Sequence, residues 1–153
     1  MENPIKLIYK FNKEAGFLSK PMNPWLESAF QVEEAIEGFD LSHLDPSLLE
    51  GSEGGTNHKV IARNILGHQN KDDPLTAVEV LDKSCDAVVF AVGTMAKLGL
   101  TSNGIIEALN IVMQANLQKL KSPVYDAAGK LMKDPSFVGP EEKLKELLKR
   151  FDL

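Results

Sequence analysis

The chain has 153 residues, 43% hydrophobic and 25% charged, enough for a core within one domain and too apolar for wholesale disorder. No apolar run approaches the roughly 18 residues that span a bilayer, and the stretch up to Phe17 lacks an apolar signal core, so a cytoplasmic chain with no membrane partner is expected. A formal net charge of −5 argues against a surface for gripping a nucleic-acid polymer, and the single Cys85 excludes an internal disulfide.

The hydrophobic pattern is helical almost throughout. A first helix is expected over Pro4–Glu14, with Ile5, Ile8, Tyr9 and Phe11 close together, stopped by Gly16. Asn23 and Pro24 supply the cap and first position of a second helix, which runs to Glu37 and ends at Gly38. The connection 40–73 contains Asp45-Pro46 and the run Gly51-Ser-Glu-Gly-Gly55. A connection of that length rarely lacks structure, so a short helix is expected over Asn57–Leu66. Asp73 and Pro74 read as the start of a third helix that continues to about Leu98 and stops at Gly99. Its apolar stripe is Val78, Leu81, Cys85, Val88, Val89, Val92 and Ala96. A fourth helix starts near Ser102 and ends near Leu120. Gly139-Pro140 opens a short amphipathic helix that ends near Phe151. No stretch alternates at period two for long enough to make a core strand, so the expected fold is all-α and bundle-like.

The acidic residues form two stripes. Glu34 and Glu37 lie three apart on the second helix with Glu33 beside them, and Glu79, Asp82 and Asp86 lie at i, i+3 and i+7 on the third. Like charges at this spacing cost a few tenths of a kcal/mol per pair. Only Lys83 is nearby, on a different face, whereas the last helix mixes signs freely. A hard divalent cation that carries phosphates would supply the missing positive charge; two plain exposed acidic faces are the alternative. His43, His58 and His68 have no glutamate three residues earlier, which sets aside a di-iron bundle. One cysteine and three scattered histidines make no recognisable zinc set. Trp25 reads as core, and Tyr125 as a minor candidate for contact with a base.

Taken in order, these motifs resemble the MazG-like all-α nucleoside triphosphate pyrophosphohydrolases, a group that includes phosphoribosyl-ATP pyrophosphohydrolase and dimeric dUTPases. The resemblance is carried by Glu34-x-x-Glu37, by Glu79-x-x-Asp82-x-x-x-Asp86 running into an apolar helix, by Val112-x-x-x-Asn116-x-x-Lys119-Leu120, and by Gly129-Lys130-x-x-Lys133. It implies a four-helix-bundle-like fold of the MazG type with a short C-terminal helix, covering 1–153 as one domain. It further implies a Mg²⁺-dependent hydrolase, with Mn²⁺ as a substitute, that cuts a nucleoside triphosphate between its α- and β-phosphates. Glu34, Glu37, Glu79 and Asp82 would then be metal ligands, and Glu33 and Glu34 the catalytic pair that handles water. Asp86, Asn116, Lys119, Lys130 and Lys133 would meet the nucleotide. Homodimers or homotetramers are the usual assembly. The span from Glu37 to Glu79 is longer than the family's, which reads as an insertion around Gly51–Gly55 and leaves the substrate open. A phosphoribosyl-ATP or dUTPase-like specificity, and a non-catalytic helical interaction module, stand as alternatives.

Overall fold

A computed structural model describes residues 1–53, 57–66 and 75–153. Among them every regular element is helical, and the one β contact is an antiparallel bridge between Tyr125 and Leu131. Helix starts follow local chemistry. In α1 (Pro4–Glu14) the Asn3 side chain accepts from the Ile5 N–H, with Pro4 in the first turn where no N–H is needed. In α2 (Pro24–Ile36) the Asn23 side chain accepts from Leu26 N, again with proline following. The same device starts the four-residue α3 (Pro46–Leu49), where Asp45 accepts from Ser47 N. Sequence periodicity does not anticipate α3, because one turn is too short to show a period. α4 (His58–Leu66) realises the short helix expected in the connection.

The start of α5 (Ala77–Lys97) differs from expectation. Asp73 and Pro74 lie outside the described residues, and a reciprocal cap sits at Thr76 and Glu79. Thr76 Oγ1 accepts from Glu79 N at 3.2 Å, while Glu79 Oε2 accepts from Thr76 N at 2.7 Å and from Thr76 Oγ1 at 2.8 Å. This is the capping box of a Thr-x-x-Glu sequence. α6 (Ser102–Gln118) is capped by Thr101 and tightens into a 3₁₀ turn over Lys119–Lys121, and α7 (Glu141–Lys149) is the short amphipathic helix near the C-terminus.

Two compact units make up the chain: Pro21–Lys83, and Met1–Lys20 with Ser84–Leu153. In the first, α4 packs on α2 and α3. Ile61 and Ala62 are fully buried and Ala29 nearly so; removing a side chain like Ile61 from water is worth roughly 2 kcal/mol. Asn64 Nδ2 donates to the carbonyls of Leu48 and Glu50, satisfying acceptors that α3 leaves open at its end.

In the second unit α1 and α7 both pack on α6, burying Leu7, Ile105, Ala108, Met113 and Leu147. Glu107 and Arg150 form an ion pair between α6 and the end of α7. The segment after α6 turns sharply: Asp126 Oδ1 accepts from the N–H groups of Ala128 and Lys130, and Gly129 takes φ +80. Tyr125 brings this turn to the N-terminal segment, its hydroxyl donating to Ala15 O at 2.8 Å and its ring meeting Phe17 edge-on. Lys20 lies 5.2 Å from both ring centroids and donates to Gly129 O. Tyr125 thereby ties the turn to the N-terminal segment while staying exposed itself.

No described residue of α5 is buried. Val78, Leu81, Val88, Val89 and Phe90 are each more than half exposed. Periodicity correctly reports that this helix has an apolar face, but it cannot report what the face covers. Among the described residues no single helix is long and apolar enough to cross a membrane.

Candidate functional site

On α2, Glu34 is exposed and Glu33 half-buried. The helix ends one residue before the sequence suggests: Glu37 has ψ 133, outside the helical range, while its N–H still donates to Glu33 O at 3.1 Å. Glu37 therefore stands just past the last turn, followed by Gly38 at φ +87. Its carboxylate is exposed.

On α5, Glu79, Asp82 and Asp86 are exposed along the helix. Glu79 carries a second duty that spacing alone does not reveal. The hydrogen bonds from the Thr76 backbone N–H and then its hydroxyl stabilise the charged carboxylate, so its pKa lies below the ordinary value. Among the described residues no three histidine, cysteine or acidic side chains gather closely enough to hold a metal ion. The donor set itself suits a hard cation, being all oxygen, anionic and solvent-facing.

Glu33, Glu34, Glu37, Glu79 and Asp82 belong to the unit Pro21–Lys83. Asp86, Asn116, Lys119, Lys130 and Lys133 belong to the other. Within the second unit two of the expected phosphate-binding residues share an aromatic neighbour. Lys119, at the end of α6, and Lys133, in the following loop, each place Nζ 5.3 Å from the centroid of the Phe137 ring. Half-buried Asn116 lies one helical turn before Lys119, whose N–H donates to its carbonyl. The backbone N–H of Lys130 is held in the Asp126 turn.

Phe137 closes the segment that begins at Gly129, and motif spacing alone gives it no role. The signal for it is the tetrapeptide Asp134-Pro135-Ser136-Phe137, with aspartate and proline in the positions a tight turn favours. Asp134 Oδ1 accepts from Ser136 Oγ at 2.6 Å and Ser136 N at 2.7 Å, and Phe137 N donates to Asp134 O at 3.1 Å. Those bonds, the Ser136 hydroxyl first, hold the Asp134 carboxyl below its ordinary pKa. The same unit contains an open cavity of about 250 Å³ whose lining includes Met95, Leu98, Leu109, Val112 and Leu144. Its walls are apolar and offer phosphate no side-chain donor. Set against family models, curated proteins and solved structures, the chain matches none.

Proposed function

We propose that the chain is a Mg²⁺-dependent nucleoside triphosphate pyrophosphohydrolase. The observation that carries this reading is the pair of exposed acid stripes in one unit, Glu34 with Glu37 and Glu79 with Asp82. The MazG-like motif order supplies the reaction class. In this reading the finer fold is the four-helix-bundle type, completed by a second copy of the chain as a homodimer or homotetramer. The exposed apolar face of α5 supports self-association, since exposed patches of this kind commonly mark interfaces.

Glu34, Glu37, Glu79 and Asp82 are the residues that would hold the cation, although they do not gather closely enough to do so in the structure described; it would supply polarisation of phosphoryl oxygens and offset charge on the leaving group. Glu33 orients a water molecule and accepts its proton. Water oxygen bonds to the α-phosphorus and the bridging bond to the β-phosphate oxygen breaks, giving a nucleoside monophosphate and pyrophosphate. The resemblance would assign the phosphate chain to Lys119, Lys130 and Lys133 and the rest of the nucleotide to Asn116 and Asp86. A helical interaction module is the second reading; the unburied apolar face of α5 favours it.

The test is pyrophosphate release from a panel of ribo- and deoxyribonucleoside triphosphates with Mg²⁺, including dUTP. Glu34→Gln should reduce turnover by about 100-fold or more, with monophosphate as the nucleotide product of the wild type. A folded wild-type chain that is inactive on the whole panel would overturn the triphosphate reading. Inactivity together with no thermal stabilisation by millimolar Mg²⁺ or Mn²⁺ would favour the interaction module.

A further inference from the structure

Helix α1 has two apolar faces. One is buried through Leu7 where α1 packs on α6. The other is open: Ile5 and Tyr9 are 64% and 62% exposed, and Met1 continues their row one turn earlier. Beside it runs a row of exposed lysines, Lys6, Lys10 and Lys13, spaced four and then three residues apart. Lys10 pairs loosely with Glu14, at 3.9 Å. Helix α5 carries the counterpart. Its exposed apolar row, Leu81, Cys85, Val88 and Val92, lies beside Glu79, Asp82 and Asp86, which are spaced three and then four apart. Run in opposite directions, the two charged rows have the same spacing. An antiparallel pairing therefore sets Lys6 opposite Asp86, Lys10 opposite Asp82 and Lys13 opposite Glu79. In that register Ile5 falls between Cys85 and Val88, and Tyr9 between Leu81 and Cys85, so the apolar rows interdigitate. The hand agrees too. Viewed from outside with the N-terminus uppermost, each helix holds its charged row to the left of its apolar row. An antiparallel approach then brings lysines and acids to the same side of the contact, whereas a parallel one would set them on opposite sides.

We infer that the open face of α1 docks antiparallel on the open face of α5 in a second copy of the chain. In a two-fold symmetric dimer each chain gives α1 to one such contact and α5 to the other. The assignment rests on the self-association proposed above and on no step of the hydrolysis. Within one chain α1 packs on α6 and on the turn over Phe17–Ser19, which leaves its open face to another copy. Charge complementarity selects that occupant: an apolar row alone fits many surfaces, whereas three lysines in register with three acids fit this chain. Glu79 already accepts from Thr76, so Lys6 with Asp86 and Lys10 with Asp82 fix the register.

The test is sedimentation equilibrium of the full chain in EDTA, which removes any cation competing for the same carboxylates. The wild type should sediment above the 16.8 kDa of one chain, and rising salt should loosen it. Lys6→Glu/Lys10→Glu and Asp82→Lys/Asp86→Lys should each weaken self-association by at least about tenfold. An equimolar mixture of the two variants should assemble again, because one of its contacts is native and the other has both signs exchanged. If either double variant misfolds by circular dichroism, the single changes Lys6→Glu and Asp86→Lys make the same cross. A monomeric wild type overturns this contact together with self-association. A lysine variant that assembles as well as the wild type, or a mixture that stays monomeric, overturns the contact and leaves self-association standing. Pyrophosphate release from the wild type is read separately, so loss of the contact and loss of the enzymatic reading stay distinct.

Discussion

Two roles meet at Glu79, and substitution separates them. As the last residue of the α5 capping box it accepts from Thr76, while in the proposed enzyme it would hold the cation. Glutamine can still complete such a box but loses the charge. Glu79→Gln should therefore lower the denaturation midpoint near neutral pH slightly, by the part of the cap that depends on the charge, while lowering Mg²⁺-dependent turnover at least tenfold. Thr76→Ala should cost about 1 kcal/mol of stability in a urea titration, the usual worth of a cap. Acid gives a second handle. Asp40, Asp45, Glu79 and Asp134 each have a pKa lowered by nearby N–H and hydroxyl donors: the Ser42 backbone, the Ser47 hydroxyl, the Thr76 backbone and the Ser136 hydroxyl, respectively, lead in each case. A folded-state pKa below the unfolded one means stabilisation that is complete above the ordinary values, 3.8 for aspartate and 4.5 for glutamate, and is lost as pH falls through the lower folded values. Melting curves should thus hold steady above about pH 5 and drop below it, with a shallower drop in Glu79→Gln.

At the scale of elements, what was legible in the sequence depended on how local the cause was. Asn23-Pro24 announces α2 because a cap and a proline act within four residues, and Asn3-Pro4 does the same for α1, where the expectation rests on the apolar positions instead. For α5 the expected start, Asp73-Pro74, lies outside the described residues; the cap at the described helix start is Thr76-x-x-Glu79, a signal that this expectation missed. The acid stripes are visible as spacing, and the engagement of Glu79 with Thr76 is legible as a Thr-x-x-Glu capping box, a signal that reading the acids as one stripe passes over. The Lys119–Phe137–Lys133 arrangement was invisible as a unit because it joins a helix end to a turn 18 residues away. The apolar face of α5 makes its own prediction. If a second copy covers it, replacing exposed Val88 and Phe90 by aspartate should leave far-ultraviolet circular dichroism intact and give a monomer in sedimentation, while the wild type sediments above the 16.8 kDa of one chain. A monomeric wild type at micromolar concentration would remove self-association from the proposal.

Across the whole molecule, the two compact units carry separate cores, one centred on Ile61 and Ala62 and the other on Leu7, Met113 and Leu147. Ile61→Ala and Leu147→Ala should each cost about 3 kcal/mol. In native-state hydrogen exchange the first should raise rates chiefly within 21–83 and the second within 1–20 and 84–153. Equal acceleration everywhere would mean that the cores melt as one. The unit that holds α1 is interrupted in the chain: it pauses at Lys20 and resumes at Ser84. On a ribosome this ordering has a temporal cost. α1 emerges first, yet its packing partner α6 begins only at Ser102, and at about 5–20 residues per second the wait lasts seconds. Pro21–Lys83, being continuous, can close meanwhile from nearby contacts. The N-terminal helix is therefore the segment that spends longest in search of its place, and the one where nascent-chain chaperones and misassembly should compete.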